Sequence, residues 1–208
     1  RVAEMEGGIA ALALASGMSA ITASIQCITR TGDNIVSTNQ LYGGTYNLFA
    51  HTFPQQGINV NMVDASDFDA IEAAIDSKTK ALYCESIGNP LGNVVDLEEL
   101  ANIAHRHNIP LIVDNTVPTP YLCKPFDFGA DIVIHSLTKY IGGHGTTIGG
   151  VIVDSGKFDW AKDAKKFPML NEPDPSYHGV VYTEALGPAA FIGRCRVVPL
   201  RNTGAALS

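Results

Sequence analysis

The chain has 208 residues, enough for one large domain with a sizeable core. Apolar residues make up 46% and charged residues 17%, the composition of a soluble globular fold and not of a disordered chain. A net charge of -7 with no block of like charges gives no basis for nucleic-acid binding, and no apolar run approaches the ~20 residues a membrane helix needs.

In chain order, Arg1 to Glu4 already follow a helical pattern, and Gly7-Gly8 open an apolar stretch from Ile9 to Ala15. Ser16-Gly17-Met18 interrupts that stretch before Ile21 to Ile28. A helix starting at Gly17 would aim free amides at an anion; a plain helix kink explains the residues equally well. Ile35-Val36 is followed by Tyr42-Gly43-Gly44-Thr45. That is either an ordinary turn or a place where a flat ligand approaches the backbone and stacks on the tyrosine.

Ile58, Val60 and Met62 then alternate with polar residues. Phe68, Ile71 and Ile75 recur at helical spacing, with Ser66 or Asp67 available as the cap. Residues 81–84, 111–113, 132–134 and 151–153 are short continuous apolar runs that suit strands buried on both faces. Between the first two, Asp96 starts a helix, Glu99 stands at capping-box spacing, and Leu97, Leu100, Ala101 and Ala104 form its stripe. Asn108 and Pro110 stop it. Lys165 to Leu200, interrupted by Pro168, Pro173, Pro175, Gly179, Gly187 and Pro188, reads as a long ordered loop or short helices. The alternation predicts an α/β fold: a mostly parallel sheet flanked by helices, with right-handed crossovers.

Ligands of open parallel sheets lie beyond the carboxyl ends of the strands. Here the apolar runs end in Glu85 with Asn89-Pro90, in Asp114-Asn115-Thr116, and in His135-Ser136-Leu137-Thr138-Lys139. Three such ends converge an acid, an amide, hydroxyls and an amine on one edge. Asp114 at a strand end is either a turn residue or the partner of a cation such as a protonated ring nitrogen, which it would keep charged. Lys139 taken alone reads as a solvated strand-end lysine; with Ser136 and Thr138 offering hydroxyls to a phosphate beside it, it can instead form an imine with a carbonyl cofactor. Glycines 142, 143, 145, 149 and 150 lack a Gly-Lys-Ser/Thr ending and lead into a strand, so they read as a flexible connection and not a nucleotide loop. His105 and His107 have no cysteine or acid at metal-site spacing and read as surface residues; His135 and His144 flank the lysine loop. Cys27, Cys84, Cys123 and Cys195 form no CxxC pair and read as reduced thiols of a cytoplasmic protein.

Together the motifs resemble the Cys/Met-metabolism PLP-dependent enzymes of fold type I. The resemblance rests on Ser16-Gly17-Met18, Tyr42-Gly43-Gly44-Thr45, Glu85 to Asn89-Pro90, Asp114-Asn115-Thr116 and Ser136-Leu137-Thr138-Lys139, in order along essentially the whole chain. It implies pyridoxal 5′-phosphate held as a Schiff base on Lys139, with Asp114 paired to the pyridine nitrogen. Tyr42 would stack over the ring and handle protons, and Thr116 would lie against the ring. Ser16, Gly17, Met18, Ser136 and Thr138 would bind the phosphate side, and Asn89 would sit near the ring hydroxyl with Glu85 supporting it.

The stretch from Phe167 to Gly179 and the segment Arg201 to Ser208 resemble the O-acetylhomoserine sulfhydrylase branch of the family. Gly44 stands where methionine gamma-lyases typically carry a cysteine. The resemblance therefore implies γ-replacement of O-acetylhomoserine by sulfide or a thiol to give homocysteine and acetate, in methionine biosynthesis. A methionine gamma-lyase or cystathionine gamma-synthase-like reaction is the alternative. It also implies a homotetramer built from dimers with shared active sites, and a chain read as residues 1–208 of a PLP-binding domain, a fragment whose family would place a Tyr-x-Arg before it and a substrate-binding arginine after it.

Overall fold

The computed structural model describes residues 1–207. Seven strands form one sheet: β1 (Ala10–Leu14), β2 (Asn34–Thr38), β3 (Asn59–Val63), β4 (Thr79–Glu85), β5 (Leu111–Asp114), β6 (Ile132–Ser136) and β7 (Gly150–Asp154). Their order across the sheet is β1-β7-β6-β5-β4-β2-β3. The pairs β6/β5, β5/β4, β4/β2 and β2/β3 are parallel, whereas β7 runs antiparallel to both of its neighbours. Six strands thus end on one edge of the sheet, and β7 begins there. The expected mostly parallel sheet is present, with this one reversal.

The period-two alternation of strand side chains divides the core. Leu12, Tyr83, Ile112, Ile132, Ile134 and Ile152 face one side, where α2 (Gly17–Ile28), the helix after the short α1 (Val2–Glu6), and a helix at Ala190–Cys195 cover them. Leu82, Cys84, Leu111, Val113, Val133 and Val153 face the other, against the helix Leu97–Arg106. Central strands β4 and β7 are buried along their whole length, which accounts for their unbroken apolar runs.

The strand β1 had no strand signal in the sequence. It is an edge strand whose outward residues, Ala11 and Ala13, are exposed alanines, so burial alternates while polarity does not. The caps follow the sequence closely. The Asp67 and Asp96 carboxylates accept the amides of Ala70 and Glu99 at 2.9 and 3.0 Å. Ser66 is not a cap; its hydroxyl and amide both bind Asp64. The segment 165–200 is a set of short helices, including Pro168–Asn171, Tyr182–Leu186 and Ala190–Cys195. It carries Phe167, which packs with Trp160 and Phe158 over the α2 face; Trp160 also stacks on Phe191. Among the described residues no helix is long and apolar enough to cross a membrane.

Candidate active site

The site lies at the edge where six strands end. Register places Glu85 of β4 opposite Asp114 of β5, and Asp114 opposite Ile134 of β6, with Ser136 one pleat further out. Glu85 and Asp114 share the parity of Tyr83 and Ile112, so both carboxylates project from the α2 face. A cavity of about 470 Å³ opens there. Its lining includes all eleven residues singled out from sequence: Ser16, Gly17, Met18, Tyr42, Glu85, Asn89, Asp114, Thr116, Ser136, Thr138 and Lys139. Ile21, Ile87, Val117, Tyr140 and Ile148 complete the wall; none of them was singled out as a site residue from sequence.

The helix α2 starts at Gly17 because the Ser16 hydroxyl accepts the Ser19 amide at 3.0 Å. A side chain at Gly17 would bring a Cβ to 2.8 Å from the Ser136 Cβ, so only glycine lets this helix end sit flush on the strand end. First-turn amides have no acceptor inside a helix, and here they open toward the cavity with the positive end of the helix dipole. The kink reading of Ser16 to Met18 is therefore set aside.

Lys139 sits on the connection between β6 and β7, exposed at the cavity mouth. Gly142 and Gly143 of this connection sit in a hydrogen-bonded turn. The Gly142 amide donates to the Leu137 carbonyl at 3.0 Å and the Gly143 amide to the Lys139 carbonyl at 2.8 Å. A Cβ on Gly142 would overlap the Leu137 carbonyl. The Thr138 hydroxyl accepts the Gly149 amide at 3.1 Å, closing the base of the turn.

Thr116 organises Asp114. Its hydroxyl and amide both donate to Asp114 Oδ1, at 2.5 and 3.0 Å, and its oxygen accepts the Ser136 amide at 2.8 Å. Burial pushes the Asp114 carboxyl above its ordinary range, against the two Thr116 donors and the charge of His135, which pull it down. Glu85, only 6% exposed, is pushed up to about 8 by burial and by the neighbouring Asp114 charge. Among the described residues neither carboxylate has a cation at ion-pair distance. The resemblance assigned Glu85 to the support of Asn89; its hydrogen bond instead runs to Tyr42, whose amide donates to Glu85 Oε1 at 2.6 Å.

Behind this face lies a group the motifs did not isolate. His135 has the parity of Val133 and points away from the cavity, where its Nε2 meets Glu6 Oε1; both side chains are fully buried. The Asn115 side-chain amide donates to Glu6 Oε1 at 3.3 Å and to the Cys123 carbonyl at 2.9 Å, while the Ser86 hydroxyl donates to Asn115 Oδ1 at 2.8 Å. The network ties the ends of β4, β5 and β6 together from below. His105 and His107 are paired with Asp131 and Glu72, at 2.8 and 2.9 Å. Cys27, Cys84 and Cys195 are buried free thiols, and Cys123 is a half-buried one.

The family model of Cys/Met metabolism PLP-dependent enzymes matches residues 1–208. The chain belongs to this family. It is 55% identical over 205 residues to a homocysteine synthase of Schizosaccharomyces pombe, covering 98% of this chain and 48% of the relative. It is 48% identical over 216 residues to an O-acetyl-L-homoserine sulfhydrylase of Leptospira meyeri, covering 100% and 48%. A Campylobacter jejuni protein assigned provisionally as an O-acetylhomoserine (thiol)-lyase superposes with a TM-score of 0.95 at 39% identity, covering 99% of this chain and 51% of that one; its crystal structure carries a pyridoxyl-lysine monophosphate. The chain spans about half the length of the relatives it matches.

The family's cofactor is pyridoxal 5′-phosphate. The donor set fits that group by its chemistry. The cavity has an amine for the aldehyde, a carboxylate for a protonated ring nitrogen, and an aromatic ring for a flat face. Its hydroxyls and helix-end amides suit an anionic phosphate.

Proposed function

We propose that the full-length protein is a PLP-dependent enzyme that replaces the γ-substituent of O-acetylhomoserine with sulfide or a thiol, giving homocysteine and acetate in methionine biosynthesis. The observation that carries this reading is the convergence of Lys139, Asp114, Tyr42, Ser136, Thr138 and the end of α2 on one cavity, in a chain whose relatives bear the names homocysteine synthase and O-acetyl-L-homoserine sulfhydrylase.

When bound, pyridoxal 5′-phosphate supplies an electron sink for carbanions next to the amino group of an amino acid. Lys139 Nζ would hold the cofactor, and the same amine would take and return protons at the substrate carbons. The Asp114 carboxylate, fixed by the Thr116 hydroxyl, holds the proton on the ring nitrogen. The α2 amides at Gly17 and Met18, with Ser16, Ser136 and Thr138, bind the phosphate side. Asn89 would lie near the ring hydroxyl, and Thr116 would lie against the ring. Tyr42 would stack over the ring and move a proton at the leaving-group side. The Cγ–O bond breaks with its electron pair on acetate, and a Cγ–S bond forms.

The same reading makes the working unit a homotetramer of dimers with shared active sites. Its support is the exposed apolar side chains on the loops that carry Asn89, Val117 and Lys139, namely Leu91, Val94, Tyr121, Leu122, Tyr140 and Ile148. Sedimentation of the full-length protein tests it, and a monomer at assay concentration overturns it. A cytoplasmic location belongs to the same proposal and is checked by fractionation of the source cell.

The reaction is tested by mixing full-length enzyme with O-acetylhomoserine and sulfide and following homocysteine. Ketobutyrate and ammonia without homocysteine would assign a γ-elimination instead. O-succinylhomoserine in the same assay tests the acyl group.

A further inference from the structure

Tyr42 is the first residue of its helix to need outside support. It stands at the N-cap of α3 (Gly43–Asn47), and its own side chain makes no capping bond. Its carbonyl accepts the Tyr46 amide at 2.9 Å, whereas its amide reaches 43 residues along the chain to Glu85 Oε1. Glu85 ends β4, a strand hydrogen-bonded on both sides and buried throughout. The backbone of Tyr42 is therefore pinned to the end of a central, fully buried strand.

The ring is held from a second side. A Cβ placed on Gly44 would lie 2.7 Å from Tyr42 Cε1, 3.3 Å from Tyr42 Cδ1 and 3.1 Å from Met18 Sδ. The first of these is closer than real Cβ atoms come, so in this conformation the Tyr42 ring occupies space that the glycine leaves, and a methyl group there requires the ring to shift. Gly44 is not at a positive φ, and alanine is compatible with its helical backbone. A methyl group there acts on the ring and on Met18, not on the chain path. Tyr42 is 47% exposed, so its ring has room to move once displaced.

We propose that Glu85 and Gly44 form the seat of Tyr42, Glu85 by anchoring its amide and Gly44 by leaving room for its ring, and that both act as positioning residues of the site. The functional consequence rests on the reading of Tyr42 given above; the seat itself does not. The test uses full-length protein labelled with ring-fluorinated tyrosine, in cofactor-free and cofactor-loaded forms, with Tyr42→Phe identifying the Tyr42 resonance. Gly44→Ala and Glu85→Ala are expected to move or broaden that resonance in both forms. Glu85→Gln is expected to preserve it, because an amide oxygen still accepts the Tyr42 N–H. In the loaded enzyme, Gly44→Ala is expected to lower kcat about tenfold to a hundredfold with a smaller change in KM, the effect of misplacing a reacting group. If Glu85→Ala does not fold, Gly44→Ala and Glu85→Gln carry the test. An unmoved Tyr42 resonance in Gly44→Ala overturns the ring contact, and one lost in Glu85→Gln overturns the amide anchor. If the resonances move as expected while Tyr42→Phe and Gly44→Ala both turn over at full rate, the seat stands and the assigned role of Tyr42 falls.

Discussion

The two edges of the sheet both place carboxylates in poorly solvated surroundings, and two carboxylates at each edge are treated oppositely. At the edge away from the cavity, Asp131 accepts the Leu111 amide and faces His105 at 2.8 Å. Asp33 there accepts the Arg30 amide and lies 3.5 Å from Lys80, whose ammonium also reaches the Lys166 carbonyl. At the cavity edge, Glu85 and Asp114 stand side by side in register with donors but no paired cation among the described residues. Burying a charge costs free energy unless an opposite charge or strong donors offset it. Asp131 and Asp33 are thus paired within the chain, although Asp154, buried at the same edge, has no cation partner among the described residues. The cavity edge is left open electrostatically, and a cation supplied by a ligand would close it.

Several experiments break or sharpen that contrast. The largest effect is expected from Lys139→Ala in the full-length enzyme: loss of the borohydride-fixed cofactor and a fall in turnover of about a thousandfold or more. A reducible cofactor linkage surviving in that variant would remove Lys139 from its proposed place. Asp114→Asn comes next, with turnover expected to fall about a hundredfold or more while the chain stays folded. In the cofactor-free chain the same variant removes a negative neighbour from Glu85, so the Glu85 midpoint should drop from about 8. Carbon-labelled carboxylate NMR reads this directly, and an unmoved midpoint would show that burial alone sets it.

A third effect concerns stability. A carboxyl ordinarily near 4.5 and held at about 8 in the folded chain binds a proton more tightly when folded. Its contribution is fully present below about 4.5 and is lost as pH rises toward 8 and beyond, on the order of a few kcal/mol. Urea unfolding of the cofactor-free chain at pH 5 and pH 9 should show this decline, and Glu85→Gln should flatten it. The smallest effect lies at the other edge. The hydrogen bond and charge of Asp131 hold His105 above the usual imidazole range. Its stabilisation is present below pH 6.5 and lost as pH rises through the elevated value. His105 is well exposed, so His105→Gln should cost about 1 kcal/mol or less at pH 6, and less still at pH 9. A cost that grows with pH would reverse the assignment of the pair.

The legibility of these two edges in sequence also differed. Glu85, Asp114 and Ser136 through Lys139 were readable because each follows an apolar run that ends in a polar residue, and a parallel sheet gathers such ends by geometry. The caps at Asp67 and Asp96 were readable because the interaction is local, three residues long. The pair of Glu6 and His135 was not, since 129 residues separate them and neither carries a motif of its own. The reversal of β7 was hidden as well. A buried strand shows the same apolar run in either direction, and only the short hairpin-like passage from Ser136 to Gly150 decides it.

What the amino-acid order determined by itself was the class of fold, the strand ends and the identity of the groups that meet there, because periodicity and local capping are properties of neighbouring residues. Tertiary structure alone decided which partner each group takes. Glu85 reaches Tyr42 and not Asn89, and His135 turns its back on the cavity by strand parity. Gly44 matters for the ring it makes room for more than for its own backbone. Those outcomes depend on distances between segments remote in the chain, and packing sets such distances only after the sheet has formed.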